Sequence, residues 1–223
     1  LLVHGWWNIK GEKMSKSLNN FITVEDALKQ YHPEVLRYFM LSTHYRTPID
    51  FSMNNLRETE KRISYFYNTL KTLNEFAQKS DGTVTRNETA QQFISEFRES
   101  MDDDFNSAKV VAALVSIFKY LNDVLVSKKT RPSPDECAGF ADVIKEAGGV
   151  LGVLLREPDE ILNEIKDIQV VRLGVSKEQI ENLINERNKA RADKDFSKAD
   201  ELRDKFVQLG VVIQDTSEKT KWS

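Results

Sequence analysis

The sequence predicts a mainly α-helical protein, and three observations carry that expectation. Apolar residues recur at spacings of three, four and seven through the middle of the chain; only 9 of the 223 residues are Gly and 5 are Pro; strand-like apolar runs are confined to the two ends. With 40% hydrophobic and 30% charged residues, the composition is that of a folded chain and not of a disordered one. A formal net charge of -3 excludes a global basic footprint, so any contact with nucleic acid is expected to be local. The single cysteine, Cys137, has no partner for an intrachain disulfide, and no run of about 18 apolar residues or secretory leader is present. A cytoplasmic protein without membrane contact is expected. Leu1-Leu2-Val3 reads as a strand entered in mid-domain, so the chain is expected to begin inside a larger protein.

Taken in order, residues 1 to 9 are apolar and aromatic, and the composition then turns small, polar and cationic from Lys10 to Asn20, as for a strand running into an exposed loop. Thr23 with Asp26 predicts a helix N-cap, and Pro33 after His32 predicts the first turn of a second helix whose core positions are Phe39 and Met40. Ser52 caps a long helix with an apolar stripe of Leu56, Ile63, Phe66, Leu70, Leu73 and Phe76, expected to end before Ser80-Asp81-Gly82. The same period returns from Asn87 through Phe93 and Phe97, stops at Asp102-Asp103-Asp104, and resumes after Asn106 from Val110 to Leu125. A further apolar segment runs from Phe140 to Leu155. Antiparallel helices with short connections form a bundle. Residues 156 to 175 show no sustained period and include Pro158 and Gly174, which reads as a linker. Beyond Ser176, two helices are expected over 177–192 and 197–209, with Gly210 as a stop and Val211-Val212-Ile213 as a short strand.

The residues with the strongest chemical content are Lys13-Met14-Ser15-Lys16-Ser17, after a strand and before a helix. Two lysines three apart, with hydroxyls between them and Lys10 nearby, place mobile ammonium groups and donors around a polyphosphate. Composition alone favours a merely solvated surface loop. The string matches, letter for letter, the KMSKS signature of class I aminoacyl-tRNA synthetases, followed by Leu18-Asn19-Asn20 where that class commonly has a glycine before the asparagine. Asn19 keeps access to the left-handed conformation but not glycine mobility.

The flanks narrow the resemblance. Arg37-Tyr38-Phe39-Met40-Leu41-Ser42-Thr43-His44-Tyr45-Arg46, then Pro48-Ile49-Asp50-Phe51-Ser52, resembles the segment after the signature loop in cysteinyl-tRNA synthetases; read without the family, His44 and Arg46 are surface caps at a helix end. Met101-Asp102-Asp103-Asp104-Phe105-Asn106 resembles a motif of that family's helical domain. Three adjacent carboxylates suit either a divalent cation or the N-terminal dipole of the following helix, and the second is preferred, so no metal is predicted. The stretch from Arg187 to Asp200, continuing to Asp215, resembles the family's anticodon-reading domain. By that resemblance Arg191, Phe196, Asp200 and Asp215 fall on anticodon-binding positions, with Trp222 near the terminal tryptophan. Phe196 stands where many relatives carry tryptophan. Standing alone, these residues read as a charged helix with i,i+4 pairs and one packing aromatic. Residues 177–223 carry equal numbers of cationic and anionic side chains, which suits selective base reading over tight backbone binding.

The resemblance implies the C-terminal edge of a Rossmann-like catalytic domain with the KMSKS loop (1–22), a helical connector and first long helix (23–82), a helical bundle (83–165), a linker (166–175) and a small α+β anticodon-binding domain (176–223). It implies ATP-dependent activation of cysteine and its transfer to tRNA(Cys), with Lys13 and Lys16 as catalytic phosphate ligands and Lys13, Met14, Ser15, Lys16 and Ser17 as the ATP-binding loop. The partners implied are ATP with Mg2+, cysteine and tRNA(Cys), acting on a monomer. A zinc ion is implied in the complete protein, with ligands upstream of this chain; Cys137 is read as a small buried thiol, and the chain alone is expected to be inactive. Two other readings remain open: a cysteine ligase of mycothiol synthesis, which generally lacks the anticodon-like end, and a stand-alone helical RNA-binding module, which has no use for a polyphosphate loop.

Overall fold

The computed structural model describes residues 5, 7–9, 12–13, 22–209, 211, 213–215 and 220–222. These divide into two compact units, residues 1–162 and 163–223.

The first unit opens with a small sheet. Strand β1 (Trp7–Ile9) pairs antiparallel with β2 (Glu12–Lys13), Ile9 opposite Glu12, and parallel with β3 (Ile49–Asp50), Trp7 opposite Ile49. A parallel pair needs a crossover, supplied here by α1 (Val24–Leu28) and α2 (Pro33–Leu41). Both helices start as expected. The Thr23 side chain accepts from the Asp26 N–H, and the buried His32 accepts from the Glu34 N–H with Pro33 in the first turn. The buried face of α2 is Glu34, Val35, Tyr38 and Phe39, whereas Met40 is 49% exposed. The expectation of a core position at Met40 is thus corrected: one residue past Phe39 is a rotation of about 100°, enough to leave the stripe.

The bundle is built from α3 (Met53–Ala77), α4 (Glu88–Asp102), α5 (Ser107–Val126) and α6 (Pro134–Leu151). Helix α3 buries Leu56, Ile63, Phe66, Tyr67, Leu70 and Leu73. Phe66 stacks on Phe118 of α5 with centroids 4.3 Å apart and meets Tyr38 of α2 edge-on at 5.7 Å, so one ring joins three helices. Truncating such a residue costs about 3–5 kcal/mol. Helix α6 carries a full capping box, Ser133 with Glu136, and lies so close to the connection between α3 and α4 that a Cβ on Gly139 would collide with the Thr85 carbonyl. Its end is a left-handed Gly152 (φ 69°), a geometry that glycine adopts without strain.

Two corrections concern connections. Residues 166–175, expected as a linker, are helical through Leu173, because α7 runs from Pro158 to Leu173. Pro158 opens that helix and Gly174 (φ 67°) follows its end; both are terminators here, not marks of an unstructured stretch. Of the Asp102-Asp103-Asp104 run, only Asp103 serves the start of α5. Asp102 ends α4, Asn106 caps α5, Asp103 pairs with Lys109 at 2.9 Å, and Asp104 turns back to the segment after α2. There its carboxylate accepts from the Tyr45 hydroxyl at 2.8 Å and pairs with Arg46 at 3.0 Å, with His44 at 3.9 Å. Asp104 and Phe105 adopt positive φ (55° and 53°) to make this turn.

A buried carboxylate joins α2 to the end of the bundle. Glu34 accepts from the Tyr67 hydroxyl at 2.9 Å to each oxygen and from the Leu154 N–H at 2.6 Å, while Arg37 donates to the Gly152 carbonyl at 2.7 Å. Burial, then the Glu34 charge, pushes the Tyr67 phenol far above its ordinary range, so it is a permanent donor.

The second unit contains the end of α7, α8 (Lys177–Ala192), α9 (Phe196–Leu209) and the hairpin β4 (Ile213–Asp215) with β5 (Thr220–Trp222). Its core is Val170, Ile180, Ile184, Phe206, Val211 and Trp222. Helix α8 starts at a capping box of Ser176 and Gln179. No described helix is long and apolar enough to cross a membrane.

Candidate nucleic-acid interface

The hairpin register builds the site. Ile213 lies opposite Trp222, and Asp215 lies opposite Thr220. Because strand side chains alternate with period two, the apolar pair faces the core, and the polar pair faces the same side one step further along. On α8, Arg187 and Arg191 are one turn apart and share a face. The two pairs meet. Arg187 grips Asp215 with both terminal nitrogens, Nη1 to Oδ1 at 3.0 Å and Nη2 to Oδ2 at 2.9 Å. Arg191 Nη1 reaches Oδ2 at 2.6 Å, and the Thr220 hydroxyl donates to Oδ1 at 2.8 Å. The Arg187 hydrogen bond, then that of Thr220, holds the Asp215 carboxyl far below the usual carboxylate range. Arg187 is raised in turn, chiefly by Asp215, with the Asp200 charge adding to it.

The turn into α9 is made by Lys194 at φ 60° and by Asp195, whose side chain accepts from the Lys198 N–H at 3.1 Å. This places Phe196, 63% exposed, on the first turn of α9, and Asp200 one turn further on. Phe196 thus offers an exposed aromatic face and Arg191 a half-exposed guanidinium, the two kinds of group that unpaired bases stack on and hydrogen-bond to.

Of the five residues expected here, Arg191 and Asp215 are in direct contact, Asp200 is close enough to Arg187 to influence its charge, and Phe196 is exposed on the same helix as Asp200. Trp222 is a correction. It is buried in the core of the unit with the Lys166 ammonium 5.0 Å from its ring centroid, so it supports the hairpin and does not offer a stacking face. Arg187 and Thr220 were not among the expected residues. The signal for Arg187 is its i,i+4 relation to Arg191, on the face that carries Ile180 and Ile184, where a buried guanidinium demands a carboxylate.

The phosphate-loop residues Met14, Ser15, Lys16 and Ser17 lie outside the described residues, as does the side chain of Lys13, whose backbone is in β2. Among the described residues no group of His, Cys, Asp and Glu suits a metal ion, and Cys137 is buried with Sγ directed at the Pro132 carbonyl. That thiol does not fit a zinc site.

Comparison with known proteins orders the same segments. The family described as tRNA synthetases class I (C) catalytic domain matches residues 1–61, the DALR domain matches 96–156, and the cysteinyl-tRNA ligase anticodon binding domain matches 176–222. A cysteine–tRNA ligase of Geobacter metallireducens is 41% identical, aligned over 98% of this chain and 47% of its own length. Those of Syntrophotalea carbinolica and Acinetobacter baumannii (strain AYE) are 38% and 36% identical, over 99% and 98% of this chain and 47% and 44% of theirs. The chain thus spans about half the length of the curated relatives it matches. The ternary complex of Agrobacterium radiobacter K84 agnB2 LeuRS with tRNA and LeuAMS aligns with a TM-score of 0.52 at 19% identity, over 70% of this chain and 22% of that one, which is a likeness of fold alone. The chain belongs to the class I aminoacyl-tRNA synthetases. Within that class it is a member of the cysteinyl-tRNA synthetase family, carrying the segments of that family's C-terminal portion in their order.

Proposed function

We propose that this chain supplies the phosphate loop and the tRNA-reading end of a cysteine–tRNA ligase, which activates cysteine with ATP and transfers it to tRNA(Cys). What carries this reading is the run of three family matches in one order, with the KMSKS string inside the first and the Arg187–Arg191–Asp215 cluster inside the third. Residues 1–22 are the edge of the catalytic domain, 23–82 the connector with the first long helix, 83–165 the bundle and 176–223 the anticodon domain.

The chemistry follows from the donors present. A carboxylate attacks the α-phosphate of ATP and pyrophosphate departs, so negative charge grows on the phosphate oxygens. Lys16 and Lys13 offset that charge, and Ser15 and Ser17 donate hydrogen bonds that shape the loop. Mg2+ accompanies ATP as it usually does, but the string offers it no carboxylate, so ligands for it lie elsewhere. At the other end, Phe196 stacks on an unpaired base while Arg191 donates to a base edge. The protein acts in the cytoplasm as a monomer, and the catalytic zinc belongs to a region upstream.

The test is cysteine-dependent ATP–pyrophosphate exchange and tRNA charging by the complete enzyme. Lys16→Ala is expected to abolish exchange. Arg191→Ala is expected to leave exchange intact and impair charging. Wild-type protein that exchanges no pyrophosphate with cysteine would refute the proposal, and exchange without any charging would point to a ligase that uses another acceptor.

A further inference from the structure

We infer that Arg187 is a positioning residue for RNA recognition: by clamping Asp215 it fixes Arg191, and the group that meets the base is Arg191 and not Asp215. The inference rests on the tRNA-reading role proposed above. An ionised carboxylate has about four acceptor sites, two per oxygen. Around Asp215 all four are taken, Oδ1 by Arg187 and Thr220 and Oδ2 by Arg187 and Arg191, at 2.6 to 3.0 Å. A base amino group approaching Asp215 would therefore have to displace a charge-assisted bond to gain one. Arg191 is in the opposite condition. Of its five N–H donors Asp215 takes one, no other described residue accepts from it, and its side chain is 49% exposed.

Burial separates the two arginines. The Arg187 side chain is only 10% exposed and directs both terminal nitrogens at Asp215, with Asp200 nearby, so burial shields it from RNA. Its planar fork fixes the orientation of the carboxylate, which a flexible ammonium cannot do. The carboxylate then anchors Arg191 at one nitrogen, Nη1, and the rest of its guanidinium is left to donate elsewhere. The ligand chemistry this suits is an acceptor edge on an unpaired base, such as adjacent carbonyl and ring-nitrogen acceptors.

The experiment is a double-mutant cycle on the KM and kcat for tRNA charging by the complete enzyme. Arg187→Lys should raise the KM for tRNA roughly tenfold, with kcat and pyrophosphate exchange unchanged, and Arg191→Ala should raise it by roughly ten- to a hundredfold. In the Arg191→Ala background, Arg187→Lys should add about twofold or less, because its effect passes through Arg191. Losses that multiply, or an unchanged KM in Arg187→Lys, would overturn the inference. Should Arg187→Lys unfold the second unit, Thr220→Val removes one donor from Asp215 with little change of shape. Its smaller rise in KM must likewise vanish without Arg191. If the enzyme charges no tRNA, the same cycle read by binding of an anticodon stem-loop RNA separates failure of the ligase reading from failure of this one.

Discussion

Replacing Glu34 tests the junction between α2 and the end of the bundle. Two substitutions of different chemistry are expected to diverge. Glu34→Ala strands two buried donors, the Tyr67 hydroxyl and the Leu154 N–H, that now lie 2.9 Å and 2.6 Å from carboxylate oxygens. Each unsatisfied group costs about 1–3 kcal/mol, so the loss should be about 4 kcal/mol. Glu34→Gln can keep both contacts, with its one carbonyl oxygen accepting from the Leu154 N–H and the Tyr67 hydroxyl, as Oε1 does now. Only the charge-assisted part is lost, about 1 kcal/mol. Urea unfolding followed by tryptophan fluorescence is the assay, in a Trp222→Phe background so that Trp6 and Trp7 report on the first unit; Trp7 stacks on Phe51 with centroids 5.7 Å apart. The slope against urea should stay constant while the midpoint shifts. A loss below about 1 kcal/mol in Glu34→Ala, or equal losses in both variants, would refute the reasoning.

Three further outcomes are expected. The folded-state carboxyl of Asp215 titrates below its unfolded value, so its contribution is complete above about pH 5 and is lost as pH falls through about 4 and below; Trp222 fluorescence should show acid unfolding of the second unit with a pH dependence that Asp215→Asn weakens. Gly139→Ala forces a methyl group into the Thr85 carbonyl and should lower the stability of the first unit by about 1–3 kcal/mol in urea, whereas Gly149→Ala, with open space around it, should not. Cys137 is buried, and burial pushes its thiol up, so an aromatic disulfide reagent should modify it only at the rate at which the first unit opens. Rapid labelling of the native protein would contradict its placement.

The helices were legible because each is announced twice, by a cap and by a stripe. Thr23, His32-Pro33, Ser52, Asn87, Asn106 and Ser176 all stand at or next to the starts they signal, and Lys177–Ala192 has the bounds that the sequence suggests. The α7 helix was not legible, because its apolar residues form a weak stripe and its Pro and Gly read as breakers when they are ends. In the candidate site, Arg191 and Asp215 were accessible from family resemblance. Their meeting is set by hairpin register, which a chain with Val211-Val212-Ile213 as its visible strand does not reveal. Trp222 and Asp104 show the same limit: a large aromatic reads alike whether it faces RNA or a core, and an acidic run does not say which distant cation it will meet.

The Glu34 junction also bears on how the chain is made. Glu34 and Leu154 are 120 residues apart, so at a synthesis rate of about 5–20 residues per second the carboxylate leaves the ribosome on the order of ten seconds before its backbone partner. Through that interval the Glu34 carboxylate has the Tyr67 hydroxyl and water to meet it, but not the Leu154 N–H. The junction is therefore completed only when the segment following α6 arrives, and a product that ends within α6 lacks one of the two donors that Glu34 accepts from.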